Sequence, residues 1–145
     1  MHPELPDEAV LLAEAAQRAF DGLGGADLSR RAELDPAVRL AEVQPVLEQL
    51  GVPAIDPRSD STSMAAAAAL CEVAGRTALP YPLAAVLVSD ARGRPTACVP
   101  VSRLRVDHAT IADEWRVGTL DGSFGGVGVP TGVLGTRLGP FVGDL

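Results

Sequence analysis

An alanine-rich run at residues 64–74 constrains the fold more than any other feature of this sequence. Alanine has the highest intrinsic helix propensity, and Ser61 or Ser63 is suited to cap the N-terminus of a helix formed here. Pro80 and Pro82 prevent that helix from continuing. Because alanine side chains are small, neighbouring helices can approach this one closely. The run therefore predicts the central helix of a bundle, ending shortly before Pro80.

A helix is also predicted near the start of the chain. Apolar residues between Ala9 and Leu23 recur three and four positions apart, which is the spacing of a helix with one buried face. Glycines at positions 22, 24 and 25 then favour its termination. The pattern predicts one amphipathic helix ahead of the alanine-rich run.

Asp35–Pro36 marks the start of another helix, since a capping residue followed by proline favours a helix N-terminus. An apolar stripe follows at Val38, Leu40 and Val43. Pro45 has no N–H to donate within a helix, at a cost of about 3 kcal/mol in a helix interior. We therefore predict two short helices, the second of which begins at Pro45.

The sequence changes character at about Ser89, where helical spacing gives way to strand-like runs. A turn is predicted just after it, and Asp121–Gly122 is typical of a hairpin turn. Eight of the 15 glycines lie in residues 122–145, which predicts short strands and turns. The β-favouring runs occupy residues 96–101, 104–106 and 115–120.

Together these patterns predict a mainly α protein, with an N-terminal helical bundle followed by a small, glycine-rich, incomplete β region. The predicted domains are residues 1–88 and residues 89–145. Aromatic residues make up only 3% of the chain, so its core is expected to consist mainly of alanine, leucine and valine. Such small side chains bury little area each, and we expect partner surfaces to supply part of the burial.

The charge and hydropathy patterns exclude several classes of protein. A net charge of −7 without a cluster of positive residues argues against a nucleic-acid partner. The longest apolar run, residues 64–71, is too short to cross a membrane, and the acidic, proline-rich start does not resemble a signal peptide. Two cysteines, Cys71 and Cys98, suit reduced thiols. We expect a soluble, cytoplasmic protein.

His108 is the residue that most invites a catalytic interpretation. It lies beside Asp107 and near Asp113 and Glu114, which would suit a metal ion or a general base. A serine triad with Ser102 is conceivable, but no Gly-x-Ser-x-Gly elbow accompanies it. The favoured interpretation is an exposed turn. No metal site is predicted, because two histidines cannot form a histidine-based site without help and the absence of Cys-x-x-Cys argues against zinc.

Residues 65–87 carry the most specific pattern of the chain. They resemble a segment of the acyl-CoA dehydrogenase family, in which a helix of the form A-x-x-L-C-E-E-x-G-R precedes a proline-containing turn and a short apolar helix. Residues 46–51 are similar to the family's preceding helix, although Val52 stands where the family has a tryptophan. The matching positions are Leu70, Cys71, Glu72, Gly75, Arg76 and the run from Pro80 to Leu83.

The resemblance implies a FAD-dependent α,β-dehydrogenation of an acyl-CoA thioester. By analogy with the family's N-terminal domain, Tyr81, Leu83 and Val86 would line the pocket for the acyl chain. We find no counterpart of the family's flavin-binding motifs or of its catalytic carboxylate. We therefore assign no catalytic residues, and the cofactor-binding residues are unknown. Glu72 is expected to form an ion pair with Arg76, one turn away.

The leading hypothesis from the sequence is a divergent or truncated acyl-CoA dehydrogenase module that is not competent alone. It would assemble, as a homo- or hetero-oligomer, with acyl-CoA dehydrogenase-type subunits that hold the FAD. The alternative is a non-catalytic interaction or scaffold subunit that docks on a larger flavoprotein dehydrogenase. A small hydrolase using Ser102 or His108 is a third hypothesis.

Overall fold

The computed structural model describes residues 5–100, 105–106, 108–122, 125–133 and 143–144. As predicted, the fold is mainly α with a small, incomplete β region. The chain divides into two compact units between Leu87 and Val88, which we call the helical unit and the β unit. None of the helices within the described ranges is long and apolar enough to cross a membrane.

Within residues 5–87, the helical unit contains five α-helices. A π-helical turn at Arg39–Val43 runs directly into the third helix, and a 3₁₀ turn at Val52–Ala54 follows that helix. The α-helices are α1 (Asp7–Gly22), α2 (Ala26–Leu34), α3 (Gln44–Gln49), α4 (Ser61–Arg76) and α5 (Leu83–Leu87).

The core of the helical unit is built mainly around the contact between α1 and α4. On α1, Ala9, Ala16 and Phe20 are buried, as the helical spacing of its apolar residues predicted. The alanine-rich helix is central to the unit, again as predicted, since α4 contributes several buried residues to a single apolar cluster. The largest side chains of that cluster are Phe20, Leu28, Leu47, Leu70, Leu83 and Leu87.

Pro45 is accommodated differently from the prediction of two separate helices. The π-helical turn leads into α3 without a break, and Pro45 lies in the first turn of α3. In an unbroken α-helix the N–H of residue 45 would bond to the carbonyl of Ala41, and proline has no N–H to donate. The wider turn just before Pro45 lets the helical path continue past that missing bond.

The N-terminus of α4 is capped by Asp60 rather than by the predicted Ser61 or Ser63. Asp60 has an extended backbone, and its Oδ1 accepts a hydrogen bond of 2.8 Å from the backbone N–H of Ser63. This bond satisfies one of the N–H groups that the first helical turn leaves without an intrahelical partner.

The C-terminus of α4 is closed by a pair of reverse hydrogen bonds around a left-handed residue. The N–H of Leu79 bonds to the carbonyl of Ala74 at 2.9 Å, and that of Ala78 bonds to Gly75 at 3.2 Å. Ala78 has a φ of +51°, a conformation that usually requires glycine. α4 therefore ends at Arg76, before the chain reaches Pro80 and Pro82, which could not have continued the helix.

Replacing Ala78 by glycine should stabilise the helical unit by about 0.5–1 kcal/mol. The left-handed conformation costs a residue with a Cβ about 1–2 kcal/mol, part of which is offset by the greater backbone freedom of glycine when unfolded. The measurement is urea unfolding followed by helical circular dichroism. As the matched control, Ala68→Gly at an exposed position inside α4 should destabilise by about 1 kcal/mol. If both variants changed the free energy of unfolding in the same direction, the left-handed strain assigned to Ala78 would be wrong.

The β unit contains two small sheets of three strands each within the described ranges. In the first, β3 lies between β1, which is parallel to it, and β4, which is antiparallel. In the second, β6 lies between β2 and β5, and both pairs are antiparallel. The strands are β1 (Thr96–Val99), β2 (Arg105–Val106), β3 (Trp115–Thr119), β4 (Gly125–Gly128), β5 (Gly132–Val133) and β6 (Gly143–Asp144).

Trp115 is the largest buried side chain of the β unit. It alternates along β3 with an exposed Arg116, and Val117 and Thr119 are buried on the same side as Trp115. The chain turns after β3 at Asp121–Gly122, where Gly122 has a φ of +72° and its N–H bonds to the carbonyl of Thr119. β4 then pairs antiparallel with β3, in agreement with the predicted hairpin.

Candidate functional site

The motif residues of α4 divide between its buried and exposed faces. Leu70 is fully buried in the core, whereas Glu72 and Arg76 are exposed. Arg76 Nε lies 3.9 Å from Glu72 Oε1, which is the one-turn ion pair that their spacing predicted. An exposed pair of this kind contributes little to stability. Leu70 therefore packs α4 against the core, while Glu72 and Arg76 lie on the solvent-exposed face of the helix.

Cys71 is half-buried against the same core. Burial raises the pKa of its thiol, because a thiolate is less well solvated there than in water. The group therefore remains a neutral thiol at neutral pH, the form that is poorly nucleophilic. Cys71 therefore packs as a small apolar residue at the edge of the core.

The three residues proposed for an acyl pocket differ in their surroundings. Leu83 is buried and belongs to the core cluster. Tyr81 packs against that cluster but remains partly exposed, and Val86 is also partly exposed. Leu83 and Val86 are three residues apart on α5, so they occupy neighbouring positions of one helix face. Of the three, Tyr81 and Val86 have surface available for a ligand, whereas Leu83 holds α5 to the core.

Arg39 is a buried cation that the sequence analysis did not single out. Its side chain is 0% exposed, and its Nε donates a hydrogen bond of 3.2 Å to the carbonyl of Pro36. Burial lowers the pKa of its guanidinium, and the proximity of Tyr81 opposes that shift. The predicted stripe placed Leu40 inward instead, but Leu40 is exposed. A π-helical turn adds one residue, equivalent to about 100° of rotation, and this shift changes which side chain faces the core.

Tyr81 lies in the electrostatic field of two charged residues, Arg39 in the π-helical turn and Glu48 in α3. Burial raises the pKa of its phenol, Glu48 raises it further, and Arg39 lowers it. The phenol is therefore protonated at neutral pH and able to donate a hydrogen bond. Tyr81 thus offers an apolar ring together with one polar atom at the border of the core.

His108 lies in a left-handed turn, with a φ of +58°, directly before a 3₁₀ turn at Ala109–Ile111. Its side chain is partly exposed, and Asp113 and Glu114 are exposed. Glu114 is 3.4 Å from Arg94, so that carboxylate already has an ionic partner. Two other members of the hypothetical sites, Ser102 and Asp107, lie outside the described residues.

No set of three or more His, Cys, Asp and Glu side chains in the described ranges is arranged to hold a metal ion. Within the glycine-rich region, Gly125–Gly128 form β4, which pairs with β3 residue by residue. Its backbone groups along that edge are therefore engaged in the sheet. The described part of the glycine-rich region thus contributes short strands to the two sheets, as predicted.

In the described part of the β unit, a group of hydrogen bonds and an ion pair centres on Asp90, at the turn before β1. Asp90 accepts hydrogen bonds from the backbone N–H groups of Arg92 and Arg94, at 2.9 and 3.1 Å, and from Arg94 Nε at 2.8 Å. These bonds, led by the one from the Arg94 side chain, lower the pKa of Asp90 from 3.8 to about 2. Because the pKa is lower in the folded state, the turn contributes stability above about pH 4 that is lost as the pH falls towards 2.

We expect Asp90→Asn to lower the free energy of unfolding of the β unit at neutral pH. Near pH 2 the free energies of unfolding of the variant and the wild type should be nearly equal. Trp115 is the only tryptophan, so its fluorescence during urea unfolding at several pH values measures this unit. Asp113→Asn, at an exposed carboxylate of the same unit, is the control. Parallel stability curves for Asp90→Asn and the wild type throughout the acid range would contradict the assignment.

No family model, curated protein or solved structure matches this chain. The relationship to acyl-CoA dehydrogenases accordingly stays a prediction that rests on the residues of α4, the turn after it and α5.

Proposed function

We propose that this chain is a divergent acyl-CoA dehydrogenase-type module that works within a larger flavoprotein assembly in the cytoplasm. The implied reaction is the FAD-dependent α,β-dehydrogenation of an acyl-CoA thioester. On this proposal the FAD is held with the help of other acyl-CoA dehydrogenase-type subunits, and this chain is not competent alone.

One observation carries the proposal. The segment with the family-like residues forms one helix of 16 residues, then a turn at residues 80–82, then the short apolar helix α5. This is the order of elements that the family pattern implies. The motif residues supply core packing at Leu70 and a surface ion pair at Glu72 and Arg76. Such roles suit a module that shapes and supports a site completed elsewhere.

Within the proposal, the partly exposed side chains of Tyr81 and Val86 contact the acyl chain. Tyr81 precedes Leu83 by two residues and Val86 follows it by three, and Leu83 anchors α5 in the core. An acyl chain that covered them would remove apolar surface from water. Each Å² of apolar surface buried in this way would contribute about 25 cal/mol to the binding free energy. Affinity should therefore rise with the length of the acyl chain, while the CoA moiety alone should bind weakly or not at all.

Equilibrium dialysis of the purified chain against saturated acyl-CoA thioesters of increasing length tests this contact, with free CoA as the reference. We expect tighter binding of longer chains, and we expect Val86→Ser to weaken binding of the longest by about tenfold. That factor corresponds to about 1.4 kcal/mol of lost apolar contact.

Val10→Ser is the matched control, since Val10 is exposed on α1. It should leave binding unchanged. Affinities that do not depend on chain length would overturn the proposed contact with the acyl chain, as would equal losses in the two valine variants. Helical circular dichroism of each variant distinguishes a lost contact from a lost fold.

A separate measurement tests whether this chain binds flavin by itself. The chain is incubated with FAD, free cofactor is removed, and the visible absorption of the protein is recorded. On the proposal the protein is colourless, because the cofactor site requires other subunits. A retained flavin spectrum would show that this chain binds FAD alone and would contradict that part of the proposal, whatever the result with acyl-CoA.

Exposed leucine and methionine side chains of the helical unit favour a second candidate function, namely a non-catalytic subunit that docks on a flavoprotein dehydrogenase. Leu11, Leu34 and Met64 are all exposed. Mixing the chain with a purified acyl-CoA dehydrogenase-type flavoprotein discriminates the two functions. A complex that forms equally with and without FAD and leaves turnover unchanged favours docking. A complex that alters turnover favours the catalytic module.

A further inference from the structure

We draw no further inference here: the strongest candidate, the outer face of the β1–β3–β4 sheet around Cys98, Arg116 and Val127, is exposed, but nothing in the described part of the chain shows what covers it.

Discussion

Replacing Leu70 by alanine should lower the free energy of unfolding of the helical unit by about 2–5 kcal/mol. Leu70 is 0% exposed and lies in the cluster where α1 meets α4. The same cluster contains Ala16, Ala67 and Ala74. Alanine has no side-chain torsion that could swing into the vacated space, so the cavity should persist. We therefore expect a loss in the upper part of this range.

The matched control is Leu34→Ala. Leu34 is 89% exposed at the end of α2, so the same substitution removes little buried area there and should change stability by no more than about 0.5 kcal/mol. Urea unfolding followed by helical circular dichroism measures both variants. If Leu70→Ala cost no more than Leu34→Ala, the packing of α4 described above would be wrong.

Trp115→Ala should have a comparable effect on the β unit, with an expected loss of about 3–5 kcal/mol. The indole is 1% exposed, and its Nε1 donates a hydrogen bond of 3.3 Å to the carbonyl of Ala109. The substitution removes the largest buried side chain from β3, the middle strand of its sheet. It also leaves the carbonyl of Ala109 without the indole as donor.

Because this variant lacks the fluorescent reporter, its unfolding is measured by amide hydrogen exchange of β3. Faster exchange is expected at residues 116–119. Trp115→Phe keeps an aromatic ring but not the indole N–H, so it should be less destabilising than Trp115→Ala. Val127→Ala, on the exposed side of β4, is the control and should be nearly neutral. Unchanged protection of β3 in Trp115→Ala would contradict the assigned core.

Much of the helical unit follows from local sequence patterns. The spacing of apolar residues between Ala9 and Leu23 predicted both α1 and its buried face. The alanine-rich run predicted α4, since high helix propensity does not depend on distant neighbours. The end of α4 was less well predicted, because the left-handed conformation of Ala78 is unusual for alanine.

The residues proposed as a functional site depend more strongly on tertiary neighbours. The sequence grouped Tyr81, Leu83 and Val86 by their place in a motif. In the structure, the core takes up Leu83 and leaves the other two partly exposed. Arg39 carried no signal at all, since a single arginine in a helical stripe usually faces solvent. Its burial depends on a turn geometry that residue spacing does not encode.

The sequence by itself determined where α1 and α4 form, where the chain changes to strands, and the one-turn pairing of Glu72 with Arg76, although it did not predict α2 at Ala26–Leu34. These features depend on residues close together in the chain, whose interactions are set by backbone period and propensity. Tertiary structure alone decided that Arg39 rather than Leu40 faces inward and that Trp115 fills the core of the β unit. A helix or strand has more than one face that could be buried. The face that becomes buried is the one against which other elements pack.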